Sequence, residues 1–315
     1  MGRALYQAQP VAHDVFAEAD EILGFPLSTL CFEGTAEELT DTINAQPAIL
    51  ATSIATLRVL EQETDLRPDF AAGHSLGEFT ALVSAGALTF ADGLRLVRER
   101  GRLMKAAGEN QPGGMAAVLG MDAPTLGQIC ADAQTEIGQA VQIANDNCPG
   151  QIVISGGRTA LQRAMELAGE KGAKRVIPLQ VSIASHSPLM ASAAAAFEPV
   201  IAQVSLARPA VPVIGNTTAR PLADVPAIRA ELVAQLTNSV RWTETIHYLQ
   251  AQGVDTFIEI GPKDVLTGLM RRIDRKASRF SVENEEGIKK LIGKNEPQIA
   301  LIHLHCAQAQ VTQIG

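Results

Sequence analysis

Five residues, Gly73-His74-Ser75-Leu76-Gly77, constrain this chain more than any other stretch. They fit G-x-S-x-G, a strand-to-helix turn so sharp that the serine is held in a strained conformation. The flanks fit as well. The run DFAAGHS (69–75) reads as a short buried strand running into a turn, and EFTALVSAGAL (78–88) reads as a helix weakened by Gly86. Gly73 and Gly77 remove the Cβ atoms that would collide across the turn. The turn exposes the Ser75 hydroxyl at a helix N-terminus, where the Leu76 N–H and the helix dipole can help hold an oxyanion. A chance match is the competing reading, since patterns with three fixed positions recur. The strand before and the helix after favour a nucleophile.

Helix-like and strand-like segments alternate along the chain of 315 residues as far as about residue 291, which predicts an α/β fold. Residues 10–24, 44–62 and 90–106 read as helices, the last capped by Thr89 with Asp92 three residues on. Residues 113–181 read as a unit of their own, in the order βαββαβ of a ferredoxin-like module. Gly113-Gly114 marks its entry, and it is expected to be inserted in a larger α/β domain. That domain resumes with a helix over 188–203 and strands over 211–218, 255–262 and 279–284. The residues after 291 show neither helical nor strand periodicity and are expected to form a loose tail.

Composition narrows the function classes. The net charge of −8 argues against nonspecific nucleic-acid binding, which needs a basic footprint. Cys31, Cys130, Cys148 and Cys306 are scattered, with no ligand spacing, so idle thiols in a reducing compartment are expected rather than a metal site. No signal core and no run of 18 apolar residues is present, so the expected location is the cytoplasm, with no membrane span.

A serine nucleophile needs a base. His74 adjoins Ser75 and points away from it. His13 and His247 lie on predicted helices, and His303 and His305 lie in the tail. His186 sits in IASHSPLM, just before a helix that Ser187 can cap and Pro188 can open. It is the candidate base, with a solvated loop histidine as the alternative, and no acid stands out to orient it. On the 90–106 helix, Leu96, Val97, Leu103 and Met104 form an apolar stripe, and Arg100 falls on it. A guanidinium there must be paired. An internal salt bridge and a substrate carboxylate are the two readings, and the second would select a dicarboxylic acyl group.

GHSLGEFTALVSAGALTFADGLRLVRERGRLM (73–104) resembles the malonyl-CoA:acyl carrier protein transacylases of fatty-acid synthesis. The likeness extends over about residues 1–291, through QPAIL (46–50), NDNCPGQIVISG (145–156), ASHSPLM (184–190), VPVIGNTT (211–218), QLTNSVRW (235–242) and IEIGPKDVLTGL (258–269). It implies an α/β-hydrolase-like parallel-sheet domain (1–112 and 182–291), a ferredoxin-like insert (113–181) and an atypical tail (292–315). It implies Ser75 as acyl acceptor, His186 as base, Arg100 as binder of the malonyl carboxylate and Leu76 as an oxyanion donor. Gln235 matches a position whose main chain orients the histidine, and Asn147 would lie near the acyl pocket. The implied reaction passes malonyl from malonyl-CoA through a Ser75 ester to the phosphopantetheine thiol of an acyl carrier protein, with no cofactor or metal. The rival expectations are a serine esterase and an inactive homologue that only docks the carrier protein.

The family opens with an apolar strand and a glycine-glutamine-glycine turn. MGRAL, at positions 1–5, corresponds to residues just beyond them, and Gln7 and Gln9 lack the flanking glycines. The sheet is therefore expected to lack a central strand, and the site one oxyanion donor. Ser239 stands where proline is usual, and GPKDVL lacks the usual second glycine.

Overall fold

A computed structural model describes residues 1–292 and 298–303, so His305 and Cys306 lie outside the described residues. Nine strands are described: β1 (Phe70–Gly73), β2 (Gly113–Leu119), β3 (Val141–Cys148), β4 (Gln151–Gly157), β5 (Arg175–Pro178), β6 (Val213–Ile214), β7 (Thr256–Ile260), β8 (Ser278–Val282) and β9 (Ile299–His303). They form two sheets. The larger runs β6-β1-β9-β7-β8 with every pair parallel. The smaller is antiparallel and runs β3-β4-β2-β5, the order of a ferredoxin-like module.

A parallel sheet is covered on both faces, so its strands alternate between two cores. Ile258, Ile260 and Ala71 face a core with Ile49, Leu50, Leu96 and Val97, from helices Thr42–Glu63 and Phe90–Asn110. Phe257 and Ala72 face the other core, with Trp242, Ile246, Leu266 and Leu269 from helices Trp242–Ala251 and Val265–Ile273. In the smaller sheet, Ala116 and Val118 pack on helices Ala123–Ile137 and Arg158–Glu170. Val240, which packs in the second core of the larger sheet, exchanges backbone bonds with Ala144 and Asp146 of β3. Among the described residues no helix is long and apolar enough to cross a membrane.

The tail is the main departure from expectation. Residues 299–303 form β9, which lies between β1 and β7 and pairs with both. Ile299 and Leu301 enter one core, and Ala300 and Ile302 the other. The central position of the sheet is thus filled, and residues 299–303 are not a loose tail. A strand buried on both faces carries no polar alternation, which is why periodicity missed it. The strand expected over 211–218 is cut to Val213–Ile214. Beyond it the Asn216 N–H turns to the Glu78 carboxylate instead of a neighbouring strand. The helix from 188 opens as a 3-10 turn, Pro188–Met190, before Ala191–Gln203. Short helices over Arg3–Ala8, Leu27–Glu33 and Ala36–Thr40 were too brief to show a periodic face.

Candidate active site

The elbow is built as the pattern requires. β1 ends at Gly73, Ser75 takes φ 52°, and the helix Gly77–Ser84 begins at once. A Cβ on Gly73 would sit 1.9 Å from the Gly77 carbonyl group, so no other residue fits. Ser75 lies at the carboxyl end of a parallel strand, where ligands bind in open α/β sheets.

His186 Nε2 lies 2.8 Å from Ser75 Oγ. On the other side of the ring, His186 Nδ1 lies 2.7 Å from the Gln235 backbone oxygen. A carbonyl can only accept, so Nδ1 carries the proton and Nε2 presents its lone pair to the serine. No carboxylate occupies the position that orients the ring. Burial pulls the His186 pKa down to about 3, and Arg100 pushes in the same direction. The imidazole is therefore neutral, as a base must be.

Arg100 reaches this site because its helix starts where the cap sets it: Thr89 Oγ1 accepts from the Asp92 N–H at 3.0 Å. The apolar stripe then turns Arg100 inward, where it is fully buried. It donates to Gln46 Oε1 at 2.8 Å, Gln235 Oε1 at 2.7 Å and Ser75 Oγ at 3.2 Å. Among the described residues no carboxylate forms an ion pair with it, so the internal salt-bridge reading fails in its direct form. Burial lowers its pKa to about 10, opposed by the field of Glu78, and it stays cationic at neutral pH.

Ser75, His186, Arg100 and Gln235 thus meet at one point. Leu76 is fully buried at the start of the elbow helix. Asn147 Oδ1 is 3.1 Å from Nε2 of His74, the residue before the nucleophile. His74 packs against Trp242, and burial lowers its pKa to about 4. His13 and His247 stay on exposed helix faces, and His303 is buried within β9. Cys31, Cys130 and Cys148 are buried thiols, pushed up to about 12, 12 and 11 by burial. Among the described residues no three His, Cys, Asp or Glu side chains gather as a metal site.

Three site residues escaped the sequence reading. Gln46 holds Arg100 from the helix Thr42–Glu63. Glu78 is wholly buried one turn after Ser75 and accepts from Asn216 and Gln235. Burial and then Glu231 push its pKa well above the usual carboxylate range, against the pull of Asn216, Gln235 and Arg100. Asn216 accepts from the Ser75 N–H. The available sign was a polar residue inside an apolar segment: Gln46 in QPAIL, Glu78 before FTALV, Asn216 after VPVIG. A cleft of about 440 Å³ opens beside the histidine loop, lined by Leu189, Gln111, Gln139 and Arg158.

Known proteins resemble this chain in sequence and in fold. The model of the acyl transferase domain family matches residues 1–314. A malonyl CoA-acyl carrier protein transacylase of Bacillus subtilis (strain 168) is 50% identical over 289 residues, which cover 92% of this chain and 90% of that protein. The chain belongs to the malonyl CoA-acyl carrier protein transacylase family. The fold agrees with solved members of the family. The transacylase of Coxiella burnetii superposes with a TM-score of 0.90 at 39% identity, covering 93% of this chain and 92% of the other. A malonyl-transacylase captured in complex with a type II polyketide-synthase acyl-carrier protein gives 0.90 at 40% identity, covering 93% and 94%.

Proposed function

We propose that this chain transfers malonyl from malonyl-CoA to the phosphopantetheine thiol of an acyl carrier protein, supplying extender units for fatty-acid synthesis. One observation carries the reading: the Ser75 hydroxyl lies within hydrogen-bond reach of both a neutral histidine and a buried arginine that has no carboxylate partner among the described residues. The first activates an acyl acceptor. The second leaves a cation waiting for the free carboxylate of the acyl group.

The chemistry balances as two acyl transfers. Ser75 Oγ attacks the thioester carbon while His186 Nε2 takes the hydroxyl proton. The Leu76 N–H stabilises the oxyanion, and the Gln235 carbonyl stabilises the imidazolium through Nδ1–H. The C–S bond breaks, and coenzyme A leaves as a thiol with the proton from His186. The carrier's thiol then attacks the malonyl-serine ester, passing its proton to His186, and Ser75 is released with that proton returned. The reaction needs no cofactor or metal and fits the cytoplasm. The large domain spans 1–112 and 182–291, with β9 completing its sheet, and the insert spans 113–181. Asn147, held beside the elbow by His74, is placed near the acyl pocket in this scheme.

Incubation with malonyl-CoA followed by intact-mass analysis tests the reading. A malonyl adduct should form on the chain and be lost in Ser75→Ala. A folded chain that forms no adduct would refute it.

A further inference from the structure

The mechanism leaves Asn216 unused, although its side chain grips the nucleophile's backbone from both sides. Asn216 Oδ1 accepts from the Ser75 N–H at 2.6 Å, and Asn216 Nδ2 donates to the Gly73 carbonyl at 2.6 Å. The two bonds span His74, so residues 73–75 are closed into a ring by one amide. Asn216 lies two residues beyond β6, which pairs with β1 through Ala71↔Val213 and Ala72↔Ile214. Where β1 bends away into the elbow, the ladder cannot continue through the backbone, and the amide side chain supplies the next rung.

A strained residue persists only where its surroundings over-determine it. Ser75, at φ 52°, needs that support. The amide must also face one way: a Ser75 N–H can meet only oxygen, and a Gly73 carbonyl only N–H. Glu78 fixes this choice. Its Oε1 accepts from the Asn216 backbone N–H at 2.8 Å and from Asn216 Nδ2 at 3.2 Å. Its Oε2 accepts from Gln235 Nε2. Gln235 in turn donates from Nε2 to the Ser75 carbonyl at 3.0 Å, holds Arg100 through Oε1 and holds His186 through its main chain. A single buried carboxylate therefore ties the grip on the nucleophile to the residue that holds the base and the cation.

We propose that Asn216 is a positioning residue for Ser75, holding the elbow in its reactive shape with its amide oriented by Glu78. The assignment rests on Ser75 being the acyl acceptor. It also explains which backbone donor serves the oxyanion: the Ser75 N–H is committed to Asn216, and the Leu76 N–H is left.

The test is the single-turnover rate of Ser75 acylation by malonyl-CoA, read by rapid quench and intact mass, with KM and thermal midpoint measured in parallel. The unaltered chain serves as reference: its malonyl adduct tests the function, and the variants test Asn216. Asn216→Ala should lower the acylation rate roughly 100-fold, the scale of loss from displacing a reacting group by about an ångström. KM should change by less than about threefold, because Asn216 touches no substrate. Asn216→Asp carries a signature that a merely structural role would not produce. A protonated carboxyl keeps an acceptor for the Ser75 N–H and a donor for the Gly73 carbonyl, and loses only the amide's second N–H, the one that meets Glu78. An ionised carboxylate offers only acceptors and would face both the Gly73 carbonyl and Glu78. The Asn216→Asp rate should therefore climb as pH falls from about 8 to about 5, by up to about tenfold per unit. The unaltered chain should stay flat over that range. Acylation of Asn216→Ala at the unaltered rate would overturn the proposal. So would an Asn216→Asp profile parallel to that of the unaltered chain, and this second measurement stands even if the alanine variant does not fold.

Discussion

Arg100 Nη2 lies 3.2 Å from Ser75 Oγ, so a fully buried cation and the nucleophile share one small volume. A charge in such a place is costly unless something pairs it. Its partners here are two glutamine oxygens and the serine hydroxyl, all neutral. The guanidinium is held in place with no carboxylate bonded to it among the described residues, Glu78 acting on it only through its field, and Arg100 Nε has no hydrogen-bond partner among the described residues. That is the electrostatic state in which a substrate carboxylate gains most from binding.

Substituting Arg100 should therefore change which acyl group is accepted. Arg100→Ala should lower kcat/KM for malonyl-CoA by about 30- to 1,000-fold, the scale of about 2–4 kcal/mol for a buried charged contact. Acylation by acetyl-CoA, which has no second carboxylate to lose, should fall far less or rise. Competition between the two thioesters, read by intact mass, checks this. An unchanged malonyl preference would remove Arg100 from the role.

The pH dependence follows from the same cation. His186 works as a base only when neutral, and its pKa is pulled to about 3 by burial and then by Arg100. Its active form is thus fully populated above about pH 4, whereas a histidine with the ordinary pKa of about 6.5 would be mostly protonated at pH 5.5. Single-turnover acylation should show no histidine limb between about pH 5 and pH 8. In Arg100→Ala one of the two downward pushes is gone, so the acid limb should move upward. A limb near pH 6.5 in the unaltered chain would contradict the neutral, buried imidazole.

How much of this was legible in the sequence depends on whether the residues announce themselves locally. Ser75 did, because the elbow needs glycines at fixed positions on either side. Arg100 did, because a cation on an apolar stripe is visible from helical spacing alone. His186 was one of six histidines until the motif around it was matched to a family. Its holder, the Gln235 carbonyl, is backbone, and backbone has no residue signature. Gln46, Glu78 and Asn216 come from three distant segments and become a network only after folding. β9 was illegible for a different reason: IALIH (299–303) is buried on both faces, so it lacks the alternation that marks a half-buried strand.

β9 should be indispensable. It gives β1 and β7 their common neighbour, and the His74 N–H donates to the His303 carbonyl at 2.9 Å, directly beside the nucleophile. Ile299, Leu301 and Ile302 are buried, at about 1.5–3 kcal/mol each relative to exposure. Set against a usual net stability of about 5–15 kcal/mol, that loss together with two broken ladders is decisive. A chain stopped after residue 292 should show no cooperative thermal transition and no malonyl adduct. A cooperative transition within a few degrees of the full chain would show that the sheet does not depend on β9.

The elbow offers the sharpest steric test, through two glycines that look alike in sequence. Gly73 has no room: a Cβ would stand 1.9 Å from both the carbon and the oxygen of the Gly77 carbonyl, and 2.3 Å from the Glu78 nitrogen. These are backbone atoms of the turn itself, so relief requires the nucleophile to move. Gly86, which follows the elbow helix at φ 69°, has nothing within 4 Å of the point where a Cβ would stand. Gly86→Ala should cost only the left-handed backbone penalty, about 1–2 kcal/mol, and leave acylation of Ser75 intact. Gly73→Ala should abolish the malonyl adduct, whether the chain stays folded with Ser75 displaced or fails to fold at all. Thermal midpoints measured beside intact mass separate the two outcomes. An adduct on Gly73→Ala at the unaltered rate would mean that the strand, turn and helix can meet in some geometry other than this one.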